Sequence, residues 1–304
     1  MEGVTDISFR RLMLDYNLGA IGAACTQFLR VSQAPMSLER IQAELGPPHP
    51  SGIPVGVQLM GNEPDVIAES AVRAAAAGAP FVDLNFGCPA PKVFQHRAGS
   101  ALLAEPELLE AIVRATVDAC PVPVTAKIRS GIECDDDIED VCKRIEQAGA
   151  VVLTIHARLR QQSYREPPTW ARIRRAVDAV QIPVVGNGSA DTPQLIDQMF
   201  DETGCAGVMI GRAAIGNPWI FAEWMHCHDA SVADQPLPER DVYGWLQEYQ
   251  TSMITGGATE SQALGKLKQA LKAMIRGGLI GAGPQQAALR CQTTADFHQI
   301  LVTN

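Results

Sequence analysis

Phe81-Val82-Asp83-Leu84-Asn85-Phe86-Gly87-Cys88-Pro89-Ala90-Pro91 is the stretch whose reading decides the fold. Phe81, Val82 and Leu84 are β-formers, bounded by Gly78 and Pro80 before and Gly87 and Pro89 after, so the stretch opens as a strand. Gly87 lets the backbone turn or approach a ligand, and Pro89 stops the strand. The Cys88 sulfur therefore stands at a strand's C-terminal end, where a barrel enzyme keeps its chemistry. A buried cysteine acting as a small hydrophobe is the competing reading, and the rest of the chain bears on the choice.

Outward from this strand the pattern repeats. β-rich runs over 21–26, 55–60, 81–85, 122–128, 151–156, 182–186 and 207–210 alternate with amphipathic helical runs such as 64–77, 106–119, 136–148, 169–179 and 192–200. Several helices open on an acid or Thr beside a Pro, and several close on a Gly. Strict alternation means a parallel sheet with helical crossovers. Seven strands are legible where a barrel needs eight. The expected fold is therefore α/β: a (β/α)8 TIM barrel with its first strand truncated, and the natural chain is expected to begin upstream of Met1 and supply that strand. A doubly wound open sheet is the rival, but no G-x-G-x-x-G follows an early strand. The Pro-rich sequence at 236–238 marks a boundary. Residues 1–232 are read as the catalytic barrel and 233–304 as a helical domain, with helices expected over 240–253, 260–276 and 284–297.

Composition narrows the classes. The chain has 304 residues, 46% of them apolar and 19% charged, which fits a soluble globular protein. No apolar run reaches a membrane span, and the first residues lack a signal peptide's basic and apolar regions. Eight cysteines without a C-x-x-C pair read as reduced thiols, so a cytoplasmic location is expected and a zinc site is not. No metal and no membrane partner are expected, and a monomer is. A net charge of −9 argues against bulk non-specific nucleic-acid binding but allows a local basic face.

Polar groups mark the ends of otherwise apolar strands: Gln58, then Asn85 and Cys88, then Lys127 and Arg129, then His156 and Arg158, then Asn187-Gly188, then Gly211-Arg212. Each alone reads equally as a solvated rim residue or a satisfied core group. Six successive strand ends aimed at one mouth are hard to explain as rim. Asn187-Gly188-Ser189 and Gly211-Arg212-Ala213 follow the last two strands, where barrel loops commonly build a phosphate site. A phosphorylated cofactor is the implied ligand; Lys127 would stabilise negative charge on a reduced flavin ring while Gln58 bonds its edge.

Asp83-Leu84-Asn85-Phe86-Gly87-Cys88-Pro89 closely resembles the D-x-N-x-G-C-P signature of tRNA-dihydrouridine synthases. Further ordered matches include Val57-Gln58-Leu59, Gly99-Ser100-Ala101-Leu102-Leu103, Lys127-Ile128-Arg129-Ser130-Gly131, His156-Ala157-Arg158, Gly186-Asn187-Gly188 and Asn217-Pro218-Trp219. The opening Met1-Glu2-Gly3-Val4 and Thr26-Gln27-Phe28-Leu29-Arg30-Val31 look most like the bacterial branch acting on uridine 16 of the D loop. The resemblance implies an FMN-bound barrel, a tRNA-contacting helical domain, and NADPH or NADH as reductant. By match, Met1, Glu2, Gln58, Lys127, His156, Asn187, Gly188, Ser189, Gly211 and Arg212 would meet FMN. Cys88 would be the proton donor, Asn85 would lie beside the uracil, and Arg30, Tyr164 and Arg290 would contact tRNA. The chain departs from the pattern at Gln27 for a usual Glu, Ala157 for a Gly, and Ser189 where an acid often sits; the Ala-Pro ahead of Met1 is missing.

The implied chemistry suits these residue types. The uracil C4 carbonyl polarises the 5,6 double bond, hydride adds at C6, and a general acid protonates C5. Phosphate contacts would come from Lys266, Lys268, Lys272 and Arg276 beside Arg290, in a segment from Gly265 to Arg290 without an acid. Lys268, Lys272 and Arg276 recur every four residues and line one helical face, with a solvated surface row as the alternative. Two rivals remain: a flavin barrel reducing a free pyrimidine or another small enone, and a non-catalytic RNA-binding protein on an enzyme scaffold.

Overall fold

The computed structural model describes residues 3–228, 240–281, 283 and 285–302. The expected boundary at 232/233 and the Pro-rich sequence at 236–238 lie outside the described residues. The chain forms two compact units, one of Gly22–Ala190 with Gln194–Ile210, the other of Met1–Ile21, Asp191–Pro193 and Gly211–Asn304.

The first unit is a curled parallel sheet. Its strands are β1 (Ala24–Cys25), β2 (Leu29–Arg30), β3 (Val55–Met60), β4 (Val82–Phe86), β5 (Val124–Arg129), β6 (Val152–His156), β7 (Val184–Asn187) and β8 (Gly207–Met209). They run in the order β1-β3-β4-β5-β6-β7-β8, with β2 also on β3. Helices Pro64–Ala76, Pro106–Ala119, Ile138–Gln147, Ala171–Ala179 and Pro193–Thr203 alternate with the strands as crossovers. This is barrel architecture in which, among the described residues, β1 pairs only with β3 and β8 only with β7. The strand expected over 21–26 is shorter and is followed by a second ladder. Ala24–Cys25 pairs with Val55 and Gly56, Leu29–Arg30 with Leu59 and Met60. The chain bows out between them, where the Gln27 amide donates to Glu44 at 3.0 Å.

Strand register sorts the side chains. Successive residues of a strand point to opposite faces, so residues paired across neighbouring strands share a face. One face carries Val57, Leu59, Val82, Leu84, Phe86, Val124, Ala126, Ile128, Leu153 and Ile155, nearly all of them fully buried. This face meets the helices. A Cβ added at Gly61 would lie 3.2 Å from Ile67, and one at Gly186 would lie 2.7 Å from the Met199 sulfur. The opposite face carries three cross-strand rows. Gln58 pairs with Asp83 and Asp83 with Thr125. Asn85, Lys127 and Thr154 form the second row. Arg129, His156 and Asn187 form the third.

The second unit is helical. Helix Ile7–Tyr16 is capped by Asp6, whose Oδ1 accepts from Phe9 N at 2.9 Å. The other oxygen accepts from the Tyr249 hydroxyl at 2.9 Å and lies 3.1 Å from Lys266 Nζ. Phe9 meets Trp245 and Tyr249 edge-on, at centroid distances of 5.8 and 5.9 Å. Buried Asn17 donates to Met13 O and Pro218 O and accepts from Ala222 N, tying the first helix to Ile220–His228. Helices Val242–Thr255 and Glu260–Arg276 follow the expected spans closely; the latter opens on a capping box of Thr259 and Gln262. The helix expected over 284–297 is broken into Gln285–Ala288 and Thr294–Val302. Thr293 Oγ accepts from Asp296 N at 3.1 Å, so a helix starts there instead of running through. No helix among the described residues is long and apolar enough to cross a membrane.

Candidate active site

The inward rows of β3–β7 bring Gln58, Asn85, Lys127, His156 and Asn187 onto one face of the first unit. Cys88 follows the end of β4. Its half-buried side chain packs with Phe28 and Ala90 against Met60, Val93 and Ala98. Its carbonyl accepts from Ser100 N at 3.1 Å and Ser100 Oγ at 2.8 Å. Gly99 has φ +61°, and a Cβ there would come 2.9 Å from the Cys88 carbonyl, so the close pass of this loop requires glycine.

Asp83, 2% exposed, stands one row below Asn85 on the same face. It accepts from Gln58 Nε2 at 2.7 Å and the Thr125 hydroxyl at 2.6 Å. Burial pushes its carboxyl pKa up, opposed by those two hydrogen bonds and by the charge of Lys127. Lys127 Nζ donates to Asn187 Oδ1 at 3.0 Å, and Asn187 Nδ2 donates to Met209 O at 2.8 Å, which fixes that amide's orientation. Burial lowers the Lys127 pKa to about 8, with Arg129 adding to the depression and Asp83 opposing it.

Two arginines are almost fully buried, at 2% exposure for Arg129 and 1% for Arg158. Arg129 donates to Gly87 O at 3.1 Å and Leu159 O at 2.7 Å, and its guanidinium lies 5.5 Å from the Tyr164 ring centroid. Arg158 donates to Glu166 O and Ser189 Oγ and meets His156 Nε2 at 3.3 Å. A guanidinium has only donors, so at this contact Nε2 is placed to accept. Gly188 and Ser189 both have positive φ, +129° and +55°. A Cβ at Gly188 would sit 3.2 Å from the His156 ring, and the Gly188 carbonyl accepts from Trp170 Nε1 at 2.9 Å.

The remaining expected positions fall elsewhere. Arg30 lies on β2, exposed, 5.7 Å from the Phe28 ring centroid, and Tyr164 is 49% exposed. Met1 and Glu2 are outside the described residues. Gly211 and Arg212 belong to the helical unit and open the helix Arg212–Gly216. In that unit Lys266 donates to Gly3 O, and Lys268 donates to Cys291 O, so both are engaged internally. Lys272, Arg276 and Arg290 are exposed. Sequence reasoning did not single out Asp83, Thr125 or Trp170. An acid in mid-strand, two residues before a site asparagine, was the available signal for the first.

A barrel sheet whose inner face ends in amides, a half-buried lysine and a histidine, with a thiol on the next loop, defines a (β/α)-barrel enzyme. The family model "Dihydrouridine synthase (Dus)" matches residues 1–293. A tRNA-dihydrouridine synthase B of Xanthomonas axonopodis pv. citri is 42% identical over 228 residues, 74% of this chain and 67% of its own. The tRNA-dihydrouridine(16) synthase of Pseudomonas putida is 33% identical over 283 residues, 91% of this chain and 86% of its own. The chain belongs to the dihydrouridine synthase family. Among solved structures, histamine dehydrogenase from Rhizobium sp. 4-9 shares the fold at TM-score 0.56 and 11% identity. That match covers 81% of this chain and spans 46% of the dehydrogenase's length.

Proposed function

We propose that this protein reduces the 5,6 double bond of uridine 16 in the tRNA D loop, with FMN bound in the barrel and NADPH or NADH as reductant. The observation that carries the reading is the set of inward rows holding Gln58, Lys127, His156 and Asn187 beside the loop that bears Cys88. The donor set fits a phosphorylated flavin. Lys127 supplies a half-buried cation, Gln58 an amide, and His156 an imidazole. Gly188, at φ +129° and packed against the His156 ring, lets the turn to Ser189 form, and the backbone N–H groups of this turn are proposed to meet phosphate oxygens. Gly188 and Ser189 are our phosphate-side residues in the barrel unit; Gly211, Arg212, Met1 and Glu2 are proposed cofactor contacts by family match alone.

FMN, when bound, supplies the hydride. The chain does the rest. Asn85 orients the uracil, and Lys127 stabilises negative charge on the cofactor ring. Cys88 holds the proton that is delivered to C5 of the base. The uridine must leave its stack to enter, as in other enzymes that act on bases. Arg30 and Tyr164 are proposed tRNA contacts of the barrel. The helical part, residues 233–304, is proposed to hold tRNA phosphates, and the −9 charge of the chain makes a local cationic face necessary.

The reading is tested on purified protein by its absorption spectrum and by mapping dihydrouridine in unmodified tRNA. Bound-flavin bands and reduction at uridine 16 are the expected result. The 33% identity to the Pseudomonas enzyme named for position 16 supports the position; reduction at another uridine overturns it, and absence of flavin bands overturns the cofactor. A second test concerns the cationic face. Lys268 is committed to Cys291, so the free cations of that row are Lys272 and Arg276. Changing both to Gln is expected to weaken tRNA binding and to lower the salt slope by up to about two phosphate contacts, with NADPH oxidation unchanged. An unaltered slope returns the row to solvent.

A further inference from the structure

We infer that Asp83 is a positioning residue for the thiol of Cys88, acting through Gln58 and Asn85 on the turn at Gly87. The activity part of this inference rests on the proposed reaction; the structural part does not. A carboxylate only accepts hydrogen bonds. Asp83 takes the Thr125 hydroxyl on one oxygen and Gln58 Nε2 on the other, at 2.6 and 2.7 Å. With its NH2 committed, Gln58 turns its carbonyl oxygen to Asn85 and accepts from Asn85 Nδ2 at 2.8 Å. Asn85 then presents its own oxygen to Gly87 N at 3.0 Å. Each amide is thus oriented by the one before it, and the series starts at a carboxyl whose two oxygens both accept.

The two halves of an amide have nearly the same shape, so an amide without such an anchor can flip. A flipped Asn85 would set its NH2 against the Gly87 N–H, donor against donor, and the turn would have to move. Arg129 holds the other side of the same residue by donating to Gly87 O at 3.1 Å. Gly87 is held on both of its backbone groups, and Cys88 is the next residue. Packing alone gives no reason for a carboxylate 2% exposed among strands. Fixing the hydrogen-bond polarity of this row gives one.

The test reads the Gly87 amide directly by hydrogen exchange on the purified protein, with the β5 amides of Ala126 and Ile128 as folding controls. Asp83→Ala removes the anchor and is expected to speed Gly87 exchange by about tenfold or more, with the controls unchanged. Asp83→Asn is expected to rescue, because the introduced amide can donate to Thr125 and still accept from Gln58. Asp83→Asn with Thr125→Val removes that guide and is expected to behave like Asp83→Ala; this pair decides the matter if the alanine variant does not fold. In the tRNA assay, kcat should fall in the same order while KM for tRNA holds. Wild-type Gly87 exchange in both Asp83→Ala and the double variant overturns the inference, as does an Asp83→Asn variant no better than Asp83→Ala. A wild-type protein that makes no dihydrouridine sinks the proposed reaction and leaves the exchange comparison standing.

Discussion

Cys88→Ala is expected to leave flavin bound and reducible by NADPH while dihydrouridine formation falls by about a hundredfold or more, the usual scale for loss of a general acid. The local geometry makes this a clean substitution. The loop is held at residue 88 by its carbonyl, through Ser100 N and Oγ, so the bonds survive loss of the sulfur. The alanine methyl remains against Met60, Val93 and Ala98. Gly99, whose missing Cβ lets the loop pass the Cys88 carbonyl, is untouched. Flavin reduction by NADPH and dihydrouridine on unmodified tRNA are measured separately. Unchanged turnover on tRNA would refute the role; loss of flavin binding would show that the thiol shapes the cofactor site.

Lys127 carries the second large effect. Its side chain is half-buried, its pKa is lowered to about 8 chiefly by desolvation, and its hydrogen bond to Asn187 holds it in place. The sign follows from the direction. A lysine with depressed pKa is charged below about pH 8 and neutral above it, so the proposed stabilisation of a negative cofactor ring is expected at neutral pH and lost as pH rises through that value. Binding an anion next to it moves the limb upward. Flavin affinity and the rate of flavin reduction are therefore expected to decline on the alkaline side, measured from pH 6 to 10 by fluorescence quenching and stopped flow. Lys127→Met should lose about a hundredfold or more in turnover, the scale of removing one preorganised charge. It should also abolish the alkaline limb in flavin affinity. A limb that survives in Lys127→Met assigns the titration to another group.

The strands were the legible part of the chain. Val55–Met60 and Val152–His156 lie within a residue of their expected limits, because alternating β-formers between glycines and prolines leave little freedom. Strand-end polar residues were legible because a barrel's connections must place them at one rim. Asp83 was not, since its meaning lies in partners 25 and 42 residues away, Gln58 and Thr125. Helix Ile7–Tyr16 escaped reading as well: its apolar face is completed by Trp245 and Tyr249, far along the chain. The break before Thr294 was written in Thr293 and Asp296, but a capping threonine looks like any helical residue until its hydroxyl turns to the backbone.

The alternation of polar and apolar rows limits how such a protein can change. Inserting or deleting one residue within β3–β7 would send the valines and leucines of that strand inward and push its lysine, histidine or amide under the helices. No side-chain adjustment repairs that, because parity is a property of the whole strand. A change of length in this sheet is therefore expected to be tolerated in the loops and not within these strands.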